Sequence, residues 1–497
     1  MVVPLRRAHH SFFVMASNQP IQKGETIMKK PNIIVFLTDD QGYGDLSCMG
    51  STDVCTPNLD ILAAGGARFT DFYAGSAVCS PSRACLLTGR YPYMTGVRSI
   101  LGGIKTTTGL NPGIPTFASA LKDLGYATGM VGKWHLGAVP ECRPTHMGFD
   151  YFCGFLSGVN DYFSHIHYTE ANSHPGINPN NDLWENDERC LKYTGEYSTE
   201  LFARKGLEFI REQVEKDMPF ALYCAFNAPH YPMHAPYKYL ERFKHLPEDR
   251  QIMAAMLSAV DDGVGEIMNY LKRRGIFNDT IIYFQSDNGP SKESRNWLDE
   301  RKDYYYGGST GGLKGHKFSL FDGGIRVPAI FSWPAMVPAG QVISEPCMGT
   351  DIFPTFINAA GGNASDYEIS GCDILPVMTI GARRDKDCLY WEMGQQTAVR
   401  RGNYKLVING FLRDGWSLPL DPKTETKHEV WLSDLSQDMG EEHNLVEEMP
   451  ELAKELEEKA LTWRRDLEAY WTDAPKADGQ LDPNGCCAVM QATYDYE

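Results

Sequence analysis

The chain has 497 residues, 42% of them hydrophobic and 22% charged, which excludes a disordered polymer and predicts a large domain with a smaller companion. Acidic residues outnumber basic ones 64 to 47, a formal net charge of −17, so nucleic acid and anionic membrane are excluded as main partners. Against that acidic average, any cluster of Arg, Lys and His marks a place for an anion.

Residues 1–28 read as an N-terminal extension with some positive charge but no continuous apolar stretch, unlike a secretory signal. Met28, ahead of Lys29 and Lys30, is an alternative start. No apolar run approaches the roughly 20 residues that span a bilayer. Thirteen cysteines are scattered without paired spacing, apart from adjacent Cys486 and Cys487. Most, such as Cys153 and Cys224, sit among apolar residues, where free cysteine behaves as a small hydrophobe. As written, the chain points to the cytoplasm, with the periplasm left open.

Four short apolar runs end in polar residues. Ile33 to Leu37 leads to Asp39 and Asp40, and Ala127 to Val131 leads to Lys133 and His135. Phe220 to Phe226 leads to His230, and Ile281 to Gln285 leads to Asp287 and Asn288. Such runs suit strands buried on both faces of a parallel sheet. Helical patterns lie between them, over Thr116 to Leu124, Ser198 to Glu215 and Arg250 to Arg274. The alternation predicts an α/β fold: a large, mainly parallel sheet sandwiched by helices, with ligands outside the carboxyl ends of its strands. All four polar clusters then meet along one edge. Residues 29–375 form this catalytic domain. Residues 376–497 read as a smaller C-terminal α+β domain, with strands over Cys388 to Met393, Thr397 to Arg400, Tyr404 to Ile408 and Val430 to Leu432, then a helix from Pro450 to about Tyr470 and an irregular tail.

The residues that carry chemistry begin with Cys79-Ser80-Pro81-Ser82-Arg83, followed by Leu87-Thr88-Gly89-Arg90. Pro81 and Ser82 suit a first helical turn, so residue 79 sits at a helix amino end, which favours an anion and an ionised nucleophile. Arg83, one turn on, is placed to hold the oxygens of residue 79. Asp39, Asp40, Asp287 and Asn288 are hard oxygen donors suited to Ca²⁺ or Mg²⁺. Each pair alone is a common turn former.

The Cys79 element resembles the signature of type I sulfatases of the alkaline phosphatase superfamily, in which the cysteine becomes formylglycine. Leu-Thr-Asp-Asp-Gln-Gly (37–42), Ser-Asp-Asn-Gly (286–289), Gly-Lys-Trp-His (132–135) and Asn-Ala-Pro-His (227–230) are similar to further blocks of that family. So is Leu313-Lys314-Gly315-His316-Lys317, running on to Asp322-Gly323-Gly324-Ile325-Arg326. Lys317 takes the catalytic lysine position, with Lys314 the fallback. His316 is unusual there, as is Asp322, where the family has Glu.

The resemblance implies an alkaline phosphatase-like fold and hydrolysis of aryl or carbohydrate sulfate monoesters. It implies Ca²⁺, with Mg²⁺ as the alternative, held by Asp39, Asp40, Cys79, Asp287 and Asn288. Lys133, His230 and Lys317 bind the substrate, His135 takes the proton of the second hydroxyl of the hydrated aldehyde, and Arg83 completes the catalytic set. A formylglycine-generating enzyme is the implied modifying partner. Two other readings stay open: a phosphonate monoester or phosphodiester hydrolase with the same site, and a pseudoenzyme that only binds sulfated ligands. The insert from Ser157 to Tyr193, with Tyr162, His165, His167, Tyr168 and Trp184, is expected to shape the pocket, with aromatics that suit a sugar ring or an aryl group.

Overall fold

β-Branched and aromatic residues fill Asn32–Thr38, and the strand they form, β1, is buried along its whole length. Its side chains alternate between two cores. Ile33, Val35 and Leu37 enter one, and Ile34 and Phe36 enter the other. That alternation is the physical origin of the unbroken apolar run: neither face of the strand meets water.

The structure, a computed structural model, describes residues 30–103, 106–167, 180–292, 307–410 and 428–480. The main sheet takes β1, then β2 (Ala67–Phe69), β3 (Ala127–Lys133), β4 (Tyr151–Phe155), β5 (Trp184–Glu185) and β6 (Glu188–Arg189). It continues with β7 (Phe220–Ala225), β8 (Thr280–Ser286), β9 (Ala329–Ser332) and β10 (Gln341–Ile343). Across the sheet the order is β10-β2-β9-β8-β1-β7-β3-β4-β5-β6. The five central strands, β8 to β4, run parallel. On their two sides β9 and β5 pair antiparallel. Neither flanking strand is among the four apolar runs that end in polar residues.

Register explains why the polar ends converge. Thr38 lies opposite Ser286, Leu37 opposite Ala225, and Ala225 opposite Gly132. Asp39, Asp287, Asn227 and Lys133 therefore leave neighbouring strands at nearly one level.

Helices cover both faces. Cys79–Thr88, Phe117–Asp123 and Ile352–Ala359 pack on one side through Leu86, Leu87, Phe117, Leu121, Phe353 and Phe356. Thr116 caps the second of these, its hydroxyl accepting from the Ser119 N–H. Ser198–Glu215 and Glu248–Arg273 cover the other face.

A second, antiparallel sheet holds β11 (Cys388–Met393), β12 (Gln396–Arg401), β13 (Tyr404–Gly410) and β14 (His428–Asp434), paired in that order. Trp391, Ala398, Val407 and Trp431 face the large domain and pack with Tyr73, Phe318 and Phe321. Val399, Leu406 and Leu432 face outward onto Ala453, Leu456 and Ala460 of helix Pro450–Asp473. Residue 376 falls inside helix Leu375–Ile380, whose Val377 and Met378 still belong to a core of the main sheet. The tail beyond the long helix returns to the large domain, where Gly102 N–H donates to the Gly479 carbonyl at 2.8 Å.

No described helix is long and apolar enough to cross a membrane. The eleven described cysteines are all free. Residues 1–28 with Met28, Tyr168, Cys486 and Cys487 lie outside the described residues.

Candidate active site

Cys79 is the first residue of helix Cys79–Thr88 and is buried. Its Sγ lies 3.2 Å from His135 Nδ1. The other ring nitrogen of His135, Nε2, is 3.0 Å from the Leu101 carbonyl. A carbonyl only accepts, so Nε2 carries the proton and Nδ1 presents its lone pair to residue 79. Leu101 is itself pinned, its N–H donating to Ser80 Oγ at 3.1 Å.

The carboxylates form a tight group. Asp40 N–H donates to Asp287 Oδ1 at 3.1 Å, and Asn288 Nδ2 donates to Asp40 Oδ1 at 2.7 Å. Ligand atoms of Asp39, Asp40 and His230 lie within 4.8 Å of one another, so the histidine borders the carboxylates expected to bind the cation. Asp39 Oδ1 and Asn288 Oδ1 are buried without a hydrogen-bond partner. Orphaned, buried oxygens of this kind fit a hard cation. Burial, then the neighbouring Asp39, pushes the Asp287 carboxyl up to about 6.

Arg83 reaches these carboxylates rather than residue 79. Its Nε and Nη2 donate to Asp287 Oδ2 at 3.0 and 2.7 Å, and Nη2 lies 3.5 Å from Asp39 Oδ1. Nη1 donates to the Lys133 carbonyl at 2.9 Å. The expectation that Arg83 orients oxygens of residue 79 is replaced by a link between two sheet-edge carboxylates and the end of β3.

The cations surround the same spot. Lys133 Nζ donates to Asp39 Oδ2 at 2.6 Å, and Lys317 Nζ donates to Asp40 Oδ2 at 2.9 Å. Lys317 also lies 3.5 Å from His230 Nε2. His230 Nδ1 donates to the Tyr231 carbonyl at 2.7 Å, so Nε2 turns its lone pair toward Lys317. Burial, then the charge of Lys133, holds both His135 and His230 well below the usual imidazole range. Burial pushes the Cys79 thiol up to about 11, with Lys133 and Lys317 pulling the other way. Lys314 is elsewhere: its Nζ donates to the Glu441 carbonyl at 2.8 Å and sits over the Trp431 ring.

Three carboxylates (Asp39, Asp40, Asp287) balance three cations (Arg83, Lys133, Lys317). Adding a divalent ion would leave a surplus of positive charge, the condition for holding an anionic ester.

The insert departs from expectation. Tyr162, His165 and Trp184 are buried, and Trp184 is flanked by the guanidiniums of Arg143 and Arg189. Tyr162 acts from behind, its hydroxyl bridging the carbonyls of Asn227 and His230 at 2.7 and 2.9 Å. The insert reaches the site at Gly158, where a Cβ would lie 2.4 Å from His135 Cε1. His167 packs against Gly103, close to Leu101. Tyr162, expected to line the pocket, instead supports the Asn227–His230 turn, and the Leu101 carbonyl was missed because a main-chain acceptor leaves no trace in residue type.

Fold and site together define a hydrolase of anionic esters of the alkaline phosphatase type. The sulfatase family model matches residues 31–362. Arylsulfatase J of Mus musculus is 31% identical over 473 residues, covering 88% of this chain and 76% of that protein. N-acetylgalactosamine-6-sulfatase of Mus musculus is 35% identical over 396 residues, covering 76% of this chain and 71% of that protein. The crystal structure of Ps i-CgsB in complex with k-i-k-neocarrahexaose superposes with a TM-score of 0.78 at 29% identity, covering 94% of this chain and 99% of that one. This chain belongs to the sulfatase family, and its reaction is the hydrolysis of sulfate esters.

Proposed function

We propose that this enzyme releases sulfate from sulfated carbohydrates, with Cys79 converted to formylglycine and Ca²⁺ held at Asp39, Asp40, Asp287, Asn288 and residue 79. The observation that carries the reading is the placement of Cys79: a buried helix amino end, 3.2 Å from a histidine lone pair and among buried cations. The sugar preference rests on relatives that include an N-acetylgalactosamine-6-sulfatase and a structure bound to a carrahexaose.

The hydrated aldehyde supplies two hydroxyls on one carbon, one to attack sulfur and one to drive sulfate out. The cation supplies Lewis acidity and charge for the sulfate oxygens. The remaining work falls to side chains. Lys133 and Lys317 bind and orient the sulfate oxygens; Asp39 and Asp40, which now accept from these lysines, would also hold the cation when it is bound. His135 Nδ1 takes the proton of the second hydroxyl, and the Leu101 carbonyl keeps that nitrogen unprotonated beforehand. Lys317, with His230 Nε2 beside it, protonates the leaving oxygen. Burial of the whole set excludes water and strengthens each of these interactions.

Mass analysis of the peptide carrying residue 79, from protein made in its own host, tests the modification: an aldehyde or its hydrate is expected, and a thiol in fully active enzyme refutes it. Sulfate release from N-acetylgalactosamine 6-sulfate and from sulfated galactan oligosaccharides is expected to exceed that from p-nitrophenyl sulfate. A preference for an aryl phosphonate monoester over every sulfate ester would overturn the substrate assignment.

A further inference from the structure

Lys317 enters the site on a segment without regular structure. Residues 307–321 form only turns and bends, and Phe318 has a left-handed φ of 75°. Next to the lysine, two main-chain bonds tie this segment to the large domain: Lys317 N–H to the Pro290 carbonyl at 3.0 Å, and Phe318 N–H to the Ala77 carbonyl at 2.9 Å. Its start is held where the Ser309 carbonyl accepts from Gly44 N–H at 3.0 Å and the Gly307 carbonyl from Arg250 Nη1 at 2.7 Å. From Lys314 to Asp322 further anchors come from the C-terminal part of the chain.

Gln396, the first residue of β12, grips the main chain one and three residues beyond Lys317. Its Nε2 donates to the Phe318 carbonyl at 2.7 Å, and its Oε1 accepts from Leu320 N–H at 3.0 Å. Glu441 Oε2 accepts from Asp322 N–H at 2.6 Å, and the Glu441 carbonyl accepts from Lys314. Lys405 Nζ, from β13, donates to Asp322 Oδ1 at 2.6 Å and to Glu441 Oε1 at 3.1 Å. Asp322 Oδ2 accepts from the Tyr73 hydroxyl at 2.9 Å and pairs with Arg326 at 3.2 Å. Arg326 and Arg400 converge on Asp71 at 2.8 and 2.6 Å. All these charges are buried, three carboxylates (Asp71, Asp322, Glu441) against three cations (Arg326, Arg400, Lys405). Asp322, the departure from the family pattern, is thus the hub of the clamp and touches no residue of the site.

We propose that Gln396, Lys405 and Glu441 are positioning residues for Lys317: the C-terminal part of the chain holds the 314–322 segment so that the ammonium stays between Asp40 and His230. The inference rests on the reading of Lys317 as a catalytic residue. Buried groups bonded at both ends leave the segment one arrangement, because any other strands a polar atom away from water. The catalytic fold and its second sheet are then one device, and the second sheet acts on the chemistry without touching substrate.

A double-mutant cycle on p-nitrophenyl sulfate tests this. Gln396→Met keeps the side-chain volume and removes both main-chain bonds. Alone it is expected to lower kcat/KM by about 10- to 100-fold, mostly in kcat, since a misplacement of about 1 Å costs on the order of 10²-fold. In a Lys317→Ala background the same change is expected to cost less than about two-fold, because the group it positions is gone. Equal losses in both backgrounds would overturn the positioning role and leave Lys317 in place. Wild-type turnover of Lys317→Ala alone would overturn the underlying reading instead. Glu441→Gln, which keeps the shape and an acceptor for Asp322 N–H, is carried through the same cycle should Gln396→Met not fold. If neither folds, the contacts serve stability alone and the proposal is lost.

Discussion

Replacing Arg83 with Met removes the one guanidinium that joins Asp287, Asp39 and the Lys133 carbonyl. All four groups are buried, so water cannot substitute. Taking one partner from a buried ion pair costs about 3–5 kcal/mol, because the other charge stays behind. The Lys133 carbonyl, left without its donor, adds about 1–3 kcal/mol. With about 2.1 cal/mol/K of unfolding entropy per residue over 497 residues, the entropy at the midpoint is about 1 kcal/mol/K. The melting temperature is therefore expected to fall by about 4–8 °C in chelator. With saturating Ca²⁺ the fall should be smaller, since the cation takes over part of the charge that Arg83 supplied. Differential scanning fluorimetry in EDTA and in Ca²⁺ reads both numbers. A fall of less than about 1 °C in EDTA, or equal falls in the two conditions, would refute the claim that Arg83 stabilises the cation-site carboxylates.

Cys79→Ser is expected to fold and bind metal but to lose multiple turnover in a host that modifies only cysteine; sulfate trapped on the new serine, seen by mass, is the informative product, and full turnover refutes the mechanism. Asp287→Ala should lose most activity and bind less than one metal per chain by elemental analysis, while wild-type activity without metal would sink the ligand assignment. Lys317→Ala should lower kcat by about 10²–10⁴-fold, the range of general acid help, and Lys314→Ala should stay within a few-fold; the reverse would show the register of that block to be wrong. Asp478 accepts hydrogen bonds from Thr107 and Thr108, main chain and side chain, which hold its carboxyl down at about 2. A lowered folded value means that the contribution of this clamp is complete above about pH 4 and is lost as pH falls through about 2. Hydrogen exchange at the Thr107 and Thr108 amides should quicken over that window, and Asp478→Asn should show quickened exchange already at neutral pH.

The proposed chemistry depends on groups that restrain one another before substrate arrives. His135 and His230 each spend one nitrogen on a carbonyl, of Leu101 and Tyr231, and so present a defined lone pair on the other. Lys133 and Lys317 are held by the carboxylates that would bind the cation. A cation bound at these carboxylates would thus be coupled to the lysines through shared oxygens, and metal removal is then expected to affect substrate affinity as well as rate.

Much of this protein was legible in short stretches of sequence. Strands buried on both faces are apolar throughout and here end in polar residues, so β1, β3, β7 and β8 and their polar ends could be read residue by residue. Pro81 suits a first helical turn for local reasons of backbone geometry, and the helix does start at Cys79, without a side-chain cap. What only the tertiary structure decided is which of these ends face one another and which atoms they offer. Register across four strands sets Asp39, Asp287 and Lys133 at one level, and register is a property of pairs of strands far apart in the chain. The same holds for Arg83 turning to Asp287, for Tyr162 and Trp184 going to the core, and for Lys317 rather than Lys314 entering the site. Each outcome is settled by long-range partners: Asp287 is 204 residues from Arg83, and Glu441 is 127 residues from Lys314. Local sequence encodes backbone preference and polarity, whereas the pairing of buried charges is chosen by whichever neighbours the fold delivers within hydrogen-bond reach, and no local pattern carries that information.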